Sequence, residues 1–555
     1  MSQASTTLTQ PAKRLRRFRF YSLAPFAVYL AIVAAAYPFY RHITGPDAIS
    51  YIAIARHYLD GQWSEALNPY WSPLLSWLTA VLLAIGVPGL AAVKLVCIGS
   101  GIGALGAVLR LARILELAPY LSGIAALAAA CMTANYALIW ITPDLLSAAI
   151  LLWYFTLILS PGYARASRAG LLCGFAGILG YFAKAYLFYF FLLHFVIVSA
   201  VFWWRTAGLE RRAIRRHFVT GLALFIAGCA PWIAIVSVRA RTPTISTASL
   251  WNRWMVGPQS PGFPQFYRLM PPSSPHALSM WENPSPSLLP NWNPLGSRAN
   301  LRHQIRLSNI NIHGLFYVLE GTSVFALSAL LVYFAWGLRR AVRGFYRPLL
   351  ALLTIAMVPA GYLLVTLRDR YGWDDRYLWA GLFLVLLTGF ALIEASWTAF
   401  TPLGRNLIAV LYALSFVIGP LRDLRHNSYG GRQLYKEALD LRTKIPADKR
   451  LAICGQWNDG IAIASVLNTP FYGATGITAG EKEFRAVLNP NPNPPRFPDA
   501  SPDEIARSLH ENKIEYLLIM PDCPVRPAPD VLTDRITVPN EPSIEVYRLD
   551  HSTDR

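Results

Sequence analysis

Residues 71–86, WSPLLSWLTAVLLAIG, decide the fold of this 555-residue chain. The run carries no charge and enters a bilayer readily, yet it falls short of the roughly 20 apolar residues that a crossing helix needs. Whether it crosses or lies along the surface sets the side on which every later loop emerges. Cytoplasmic loops collect Lys and Arg, and the basic cluster Lys13, Arg14, Arg16, Arg17 and Arg19 places the N-terminus there. A crossing at 71–86 would then put Arg110 and Arg113 outside and invert all later loops. An embedded segment instead leaves Arg110, Arg113, Arg165, Arg168, Arg205, Arg211, Arg212, Arg215, Arg216, Arg339, Arg340, Arg343, Arg347 and Arg405 on the cytoplasmic side. The approach Pro69-Tyr70-Trp71-Ser72-Pro73 suits a helix seated at the interface, where amphipathic rings accumulate.

Working outward, apolar runs at 21–40, 90–109, 119–138, 144–160, 168–184, 186–204, 218–238, 313–337, 348–367, 376–395 and 406–421 predict a polytopic α-helical membrane protein of eleven spans. Composition agrees, with 54% hydrophobic and 15% charged residues. The net charge of +19 is spread over short loops between apolar runs, a pattern of membrane topology rather than of nucleic-acid binding. No small-residue cleavage site closes the first run, so 1–20 reads as a cytoplasmic basic N-terminus before an uncleaved helix. The membrane part is expected over 21–421, in a bacterial inner membrane.

Four segments then fall outside: 41–89, 139–143, 239–312 and 368–375, joined by 422–555. The 239–312 loop is rich in Pro, but Trp251, Trp254, Phe266, Met280, Trp281 and Trp292 mark it as an ordered cover over an outer cavity. From 428 onward, helix-like and strand-like pieces alternate (GRQLYKEALDLRTKI, RLAICG, DGIAIASVLN, SPDEIARSLHENK, IEYLLIM, IEVYRL), predicting a small periplasmic α/β domain over 422–555 with an open sheet. Its CGQWNDG turn lacks the glycine spacing of a dinucleotide site. Cys97, Cys131, Cys173 and Cys229 lie in apolar runs; Cys454 and Cys523, in this last region, are the pair open to a disulfide.

The residues suited to chemistry gather outside. Asp47, in GPDAISYIAIARHYLDG, and Asp144, in ITPDLL, each follow a proline at a predicted helix start. Either is explained as an N-cap, but a helix N-terminus also keeps a carboxylate ionised and able to take a proton or hold a metal. Tyr51 shares the face of Asp47 and His57 projects near it, while Arg56 and Asp60 read as a surface ion pair at i, i+4. Lys184, in GYFAKAYLFYF, is either a headgroup anchor or a partner for an anionic substrate group. In LRDRYGWDDRYLWAGL, Arg368, Arg370 and Arg376 stand on the side the charge rule disfavours, which points to phosphate recognition, unless Asp369, Asp374 and Asp375 neutralise them locally. ATP-binding and zinc motifs are not present in the sequence.

With GPDAISYIAIARHYLDG, WSPLLSWLTAVLLAIG, TPDLL, GYFAKAYLFYF and DDRYLWAGL in this order, residues 20–400 resemble the GT-C superfamily of integral-membrane glycosyltransferases. Within it, the branch holding protein mannosyltransferases and bacterial lipid A aminoarabinose transferases is the most similar. The resemblance implies a polyprenyl-phosphate sugar donor, a periplasmic active site and inverting transfer to a lipid, glycan or protein acceptor. It implies Asp47 as general base, Asp144 as the second acidic residue, and Lys184 and the Arg376-Tyr377 pair near the donor phosphate, to which the charge rule adds Arg370 as a phosphate contact. Tyr51 and His57 are expected contacts to the acceptor or loop. A divalent metal bridging carboxylates and phosphate is compatible with this set but not required by it. Protein mannosyltransferases usually carry two adjacent acidic residues in the first loop; here Ala48 follows Asp47, which favours a bacterial relative acting on a lipid or glycan.

The same outer cavity would serve a transporter or flippase of lipid-linked sugars. That alternative predicts charges at mid-span or paired inverted repeats, neither of which stands out in the sequence. An anchoring role for the membrane part would not need eleven spans.

Overall fold

The computed structural model describes residues 9–260, 262–365, 368–369, 372–373, 375–396, 399–479, 482, 500–532, 534–537 and 544–549. Among these, eight helices are long and apolar enough to cross a membrane: Tyr21–Tyr40, Gly89–Ile114, Pro119–Ile139, Tyr186–Arg205, Gly208–Ala240, Arg347–Val365, Asp375–Ala395 and Pro402–His426. A ninth crossing is made if the pair Arg298–Thr322 and Ala326–Val342, bent by 104°, is one broken span.

Three of the eleven expected spans are not among these long helices. Asp144–Ile158 and Ala169–Ala183 are apolar helices of 15 residues each, roughly 22 Å long at 1.5 Å per residue and short of the hydrocarbon thickness. Each stops where a polar residue turns into the interior, at Asp144 and at Lys184. The expected span 313–337 is split at Ser323, and its first half starts in the outer loop, where the Ser297 side chain accepts from the Asn300 N–H and caps Arg298–Thr322. The ordered loop therefore ends near 297 rather than 312. Residues 71–86 yield only Leu74–Ala84, about 16 Å of helix, too short to cross.

Close helix contact depends on small residues. A Cβ at Gly174 would lie 2.3 Å from the Gly221 carbonyl oxygen, and one at Gly170 would lie 2.3 Å from that of His217. This brings Ala169–Ala183 backbone to backbone with Gly208–Ala240, the packing available where lipid supplies no hydrophobic drive between helices.

The C-terminal region holds a five-stranded sheet in the order Phe471–Ala474, Leu451–Cys454, Tyr516–Ile519, Glu545–Arg548, Asp534–Ile536. The first three run parallel and the last two add antiparallel. Leu451–Cys454 and Tyr516–Ile519 are buried along their whole length, as expected of central strands covered on both faces. Cys454 and Cys523 form a disulfide, with Cα atoms 4.8 Å apart.

The outer loops and this sheet share one core. Ile49, Tyr70, Trp251, Met280 and Trp281 pack in the same buried cluster as Trp457, Ile461 and Phe471. Backbone bonds reinforce it: Met270 N–H donates to Tyr472 O (2.6 Å) and Phe471 N–H to Leu278 O (2.7 Å), so the Pro-rich loop lies along the edge strand. Ser246 and Asn68 stitch the two loops together, through Ser246 Oγ to the carbonyls of Pro69 and Tyr70 (3.1 Å each) and Asn68 Nδ2 to Glu282 O (2.5 Å).

Candidate functional site

The loop helix Pro46–Leu59 is capped by the extended Gly45, with Pro46 in its first turn. Asp47 is therefore not the cap, and its carboxylate makes no cap bond. Instead Trp281 Nε1–H donates to Oδ1 (3.2 Å) and Arg376 Nη1–H to Oδ2 (3.4 Å). Asp144 likewise opens its helix without capping it, since Pro143 stands in that position. Thr142 Oγ1–H donates to Asp144 Oδ2 (2.8 Å), Lys184 Nζ pairs with Oδ1, and Arg376 Nε lies 3.8 Å from Oδ2. The capping explanation fails for both residues because Gly45 and Pro143 hold the cap positions and the carboxylate oxygens are taken by side-chain donors and cations, Trp281, Arg376 and Lys184 among them.

Arg376 links the two carboxylates. It sits in the turn Asp375–Leu378 that precedes a span, donates from Nη2 to Tyr377 OH (3.3 Å), and lies over the rings of Trp140 (5.4 Å) and Tyr377 (5.1 Å). Lys184 occupies the break between Ala169–Ala183 and Tyr186–Arg205, with extended backbone that turns its side chain out of the helix direction. Its ammonium sits 4.2 Å from the Tyr377 ring centre and 5.6 Å from that of Tyr362. Tyr186, Tyr362 and Tyr377 form a stack with spacings of 3.9 and 4.7 Å. The stack fixes the two cations against ring faces, where a cation is attracted by the ring quadrupole.

Burial differs across the cluster. The Asp144 side chain keeps 4% of its surface, Arg376 17%, Lys184 21% and Asp47 27%, so solvent and ligands reach Asp47 while Asp144 is sealed. Among the described residues no three His, Cys, Asp or Glu side chains converge as a metal site. The two carboxylates face the cations Arg376 and Lys184.

Of the sequence-predicted residues, Asp47, Asp144, Lys184, Arg376 and Tyr377 come together. Tyr51 is buried directly beside them, edge-on to Trp71 at 5.0 Å. Burial first, then the charges of Asp47 and Asp144, push its phenol well above the usual range and keep it protonated. His57 is not part of the cluster. Its Nδ1 meets Gln62 Oε1 (2.6 Å) and its Nε2 meets Glu282 Oε2 (3.0 Å). The expected Arg56–Asp60 ion pair does not form: the helix ends at Leu59, and Asp60 caps it through its own N–H to Arg56 O. Arg370 lies outside the described residues. Trp281, Thr142 and Tyr362 complete the site without having been singled out for it; Thr142 was visible as the hydroxyl two residues before Asp144, whereas Trp281 stood among many bulky loop residues.

On the far face of Pro46–Leu59 a cleft of about 1180 Å³ opens toward the C-terminal sheet region. His42, Arg56, His57, Tyr435, Arg442 and Asp459 are among its walls.

The bundle, the short Leu74–Ala84 helix and the outer cap with its sheet match the GT-C fold. Two crystal structures of ArnT from Cupriavidus metallidurans share it. The apo form superposes with a TM-score of 0.56 at 17% sequence identity, over 96% of this chain and 98% of that one. The form bound to undecaprenyl phosphate gives 0.57 at 17%, over 95% and 97%. No protein-family profile and no curated protein sequence matches the chain.

Proposed function

We propose that this chain is a membrane glycosyltransferase that moves a sugar from a polyprenyl-phosphate donor to a lipid, glycan or protein acceptor. The observation that carries the reading is the Asp47–Arg376–Asp144–Lys184 cluster, set at one end of an apolar bundle whose fold is shared with a protein that binds undecaprenyl phosphate. A polyprenol keeps its chain in lipid and brings its phosphate and sugar to the surface, where this cluster lies.

The chemistry follows from the two kinds of charge. Arg376 and Lys184 meet the donor phosphate and stabilise it as the bond from sugar C1 to phosphate oxygen breaks. Asp47, the more open carboxylate, takes the proton of the acceptor hydroxyl as its oxygen bonds to C1 from the opposite face, which inverts the anomeric centre. Asp144 holds Lys184 and Arg376 in place. The products are the glycosylated acceptor and polyprenyl phosphate, with the proton on Asp47.

We place the protein in a bacterial inner membrane, with the N-terminus cytoplasmic and the site and C-terminal region periplasmic. Two observations support this. Basic residues of the expected cytoplasmic loops meet one another's segments away from the site, as in Arg165–Glu210, Arg205 over Tyr346 and Arg405 over Tyr120. The Cys454–Cys523 disulfide suits an oxidising compartment.

Purified protein offered a panel of undecaprenyl-phosphate sugars tests the reading. Release of undecaprenyl phosphate with sugar recovered on an acceptor, abolished in Asp47→Asn while undecaprenyl phosphate still binds, is the expected result. Bound donor that is never turned over favours a transporter, and transfer untouched by the substitution removes Asp47 from the chemistry.

A further inference from the structure

We infer that Trp281 is a positioning residue for Asp47, and that the C-terminal sheet region holds it there. This rests on Asp47 being the base. The path between them is short and continuous. At one end Trp281 Nε1–H donates to Asp47 Oδ1 at 3.2 Å, while Arg376 Nη1–H donates to Oδ2. One oxygen thus has a neutral donor from the loop and the other a cation from the bundle, which sets the carboxylate plane from both sides.

Trp281 itself has little freedom. Its carbonyl accepts from Ser50 Oγ–H (3.3 Å) and Trp71 Nε1–H (3.1 Å), and its N–H reaches Ser279 Oγ (3.2 Å). Its ring meets those of Tyr70, Trp71, Trp251, Phe263 and Trp457 at centroid distances of 5.8, 5.9, 5.8, 6.1 and 6.3 Å. The next residue, Glu282, is buried and tied to His57. Two and three residues before Trp281, the backbone joins the sheet edge: Ser279 bridges Phe471 in parallel, and Leu278 O accepts the Phe471 N–H. The edge strand therefore extends by β-addition into the loop, and the loop ends on the base. The sheet region sets where Trp281 sits, and Trp281 sets the direction of the Asp47 lone pairs.

Trp281→Phe keeps an aromatic ring and every backbone bond while deleting the N–H. The expected result is a fall in kcat of about tenfold, the scale of one hydrogen bond to a charged group, with undecaprenyl phosphate affinity unchanged. A ring that served packing alone would tolerate the exchange, and wild-type kcat in Trp281→Phe overturns the inference.

The tether is tested by Met270→Pro, which deletes the Met270 N–H bond to Tyr472 O without touching the site. It should lower kcat in the wild type and add nothing in the Trp281→Phe background, whereas additive losses would show that the sheet acts by another route. Trp457→Phe, which trims the indole against Trp281, supplies the same cycle if the proline variant does not accumulate. A thermal-stability cycle between Trp281→Phe and Asp47→Ala, each of which removes one partner, reads the hydrogen bond without turnover. Non-additive Tm shifts support the bond even if no sugar is transferred, and additive shifts overturn it.

Discussion

Asp47 and Asp144 enter the fold by the same local device, a proline followed by an aspartate in the first turn of a helix. Their surroundings are nevertheless opposite. Asp144 is sealed among Thr142, Lys184 and Arg376, whereas Asp47 keeps a quarter of its surface and is held by one indole N–H and one guanidinium. A carboxylate that must accept a proton from a substrate needs access, and one that orients cations needs enclosure. On the proposed reading the same motif does two jobs, and the difference in surroundings is made by the residues that arrive from elsewhere in the chain.

The largest effect should separate the two carboxylates by activity. Asp47→Asn is expected to lower kcat by about 10³-fold, within the range for losing a general base, while the Tm changes little. Sugar transfer and thermal unfolding on the same preparation check this. Asp144→Ala should show the reverse emphasis, because it leaves the largely enclosed Lys184 without its carboxylate and Arg376 with Asp47 alone. Breaking such a pair costs about 3–5 kcal/mol, so loss of folded protein in detergent, read by size exclusion, should come before any kinetic defect. Equal phenotypes for the two variants would erase the distinction.

A control away from both carboxylates tests the bundle that carries Asp144 and Lys184. Gly174→Leu has no room against the Gly221 carbonyl and should destabilise by about 1–3 kcal/mol or more. It should also weaken undecaprenyl phosphate binding, since Lys184 ends the same helix, while Asp47 on its loop helix is unaffected by the clash.

The smallest effect lies on the Asp47 side, at the far end of its helix. Burial lowers the affinity of His57 for a proton, but the hydrogen bonds to Glu282 and Gln62 outweigh it, and the net direction is upward. The folded state then binds the proton more tightly than the unfolded chain. The stabilisation is fully present below the unfolded value of about 6.5 and disappears as pH rises through the raised folded value. The Tm gap between wild type and His57→Gln should accordingly be wider at pH 5.5 than at pH 8.5, and a gap independent of pH would show that His57 is held neutral.

Much of this was legible in the linear chain, because hydrophobic length and charge bias act locally. The apolar runs, the non-crossing 71–86 segment and the alternating pieces after 428 are visible at once. The residues that converge were also visible one by one, as polar groups in unfavourable places: Asp47 and Asp144 after prolines, Lys184 between apolar runs, Arg376 against the charge rule. What stayed hidden was pairing. The capping explanation for both aspartates and the Arg56–Asp60 pair were drawn from neighbours in sequence, and neighbours in space replaced them.

Sequence alone therefore determined the class of protein, the end of the bundle where charge collects and the identity of four of its charged groups, since each follows from the cost of placing a given residue in lipid or water. The tertiary structure decided where the helices start and stop, which carboxylate is open, and that Trp281, 234 residues from Asp47, meets it. Those outcomes depend on packing between segments that share no local signal, and a loop residue becomes part of a site only once a sheet edge and a helix start have been brought to either side of it.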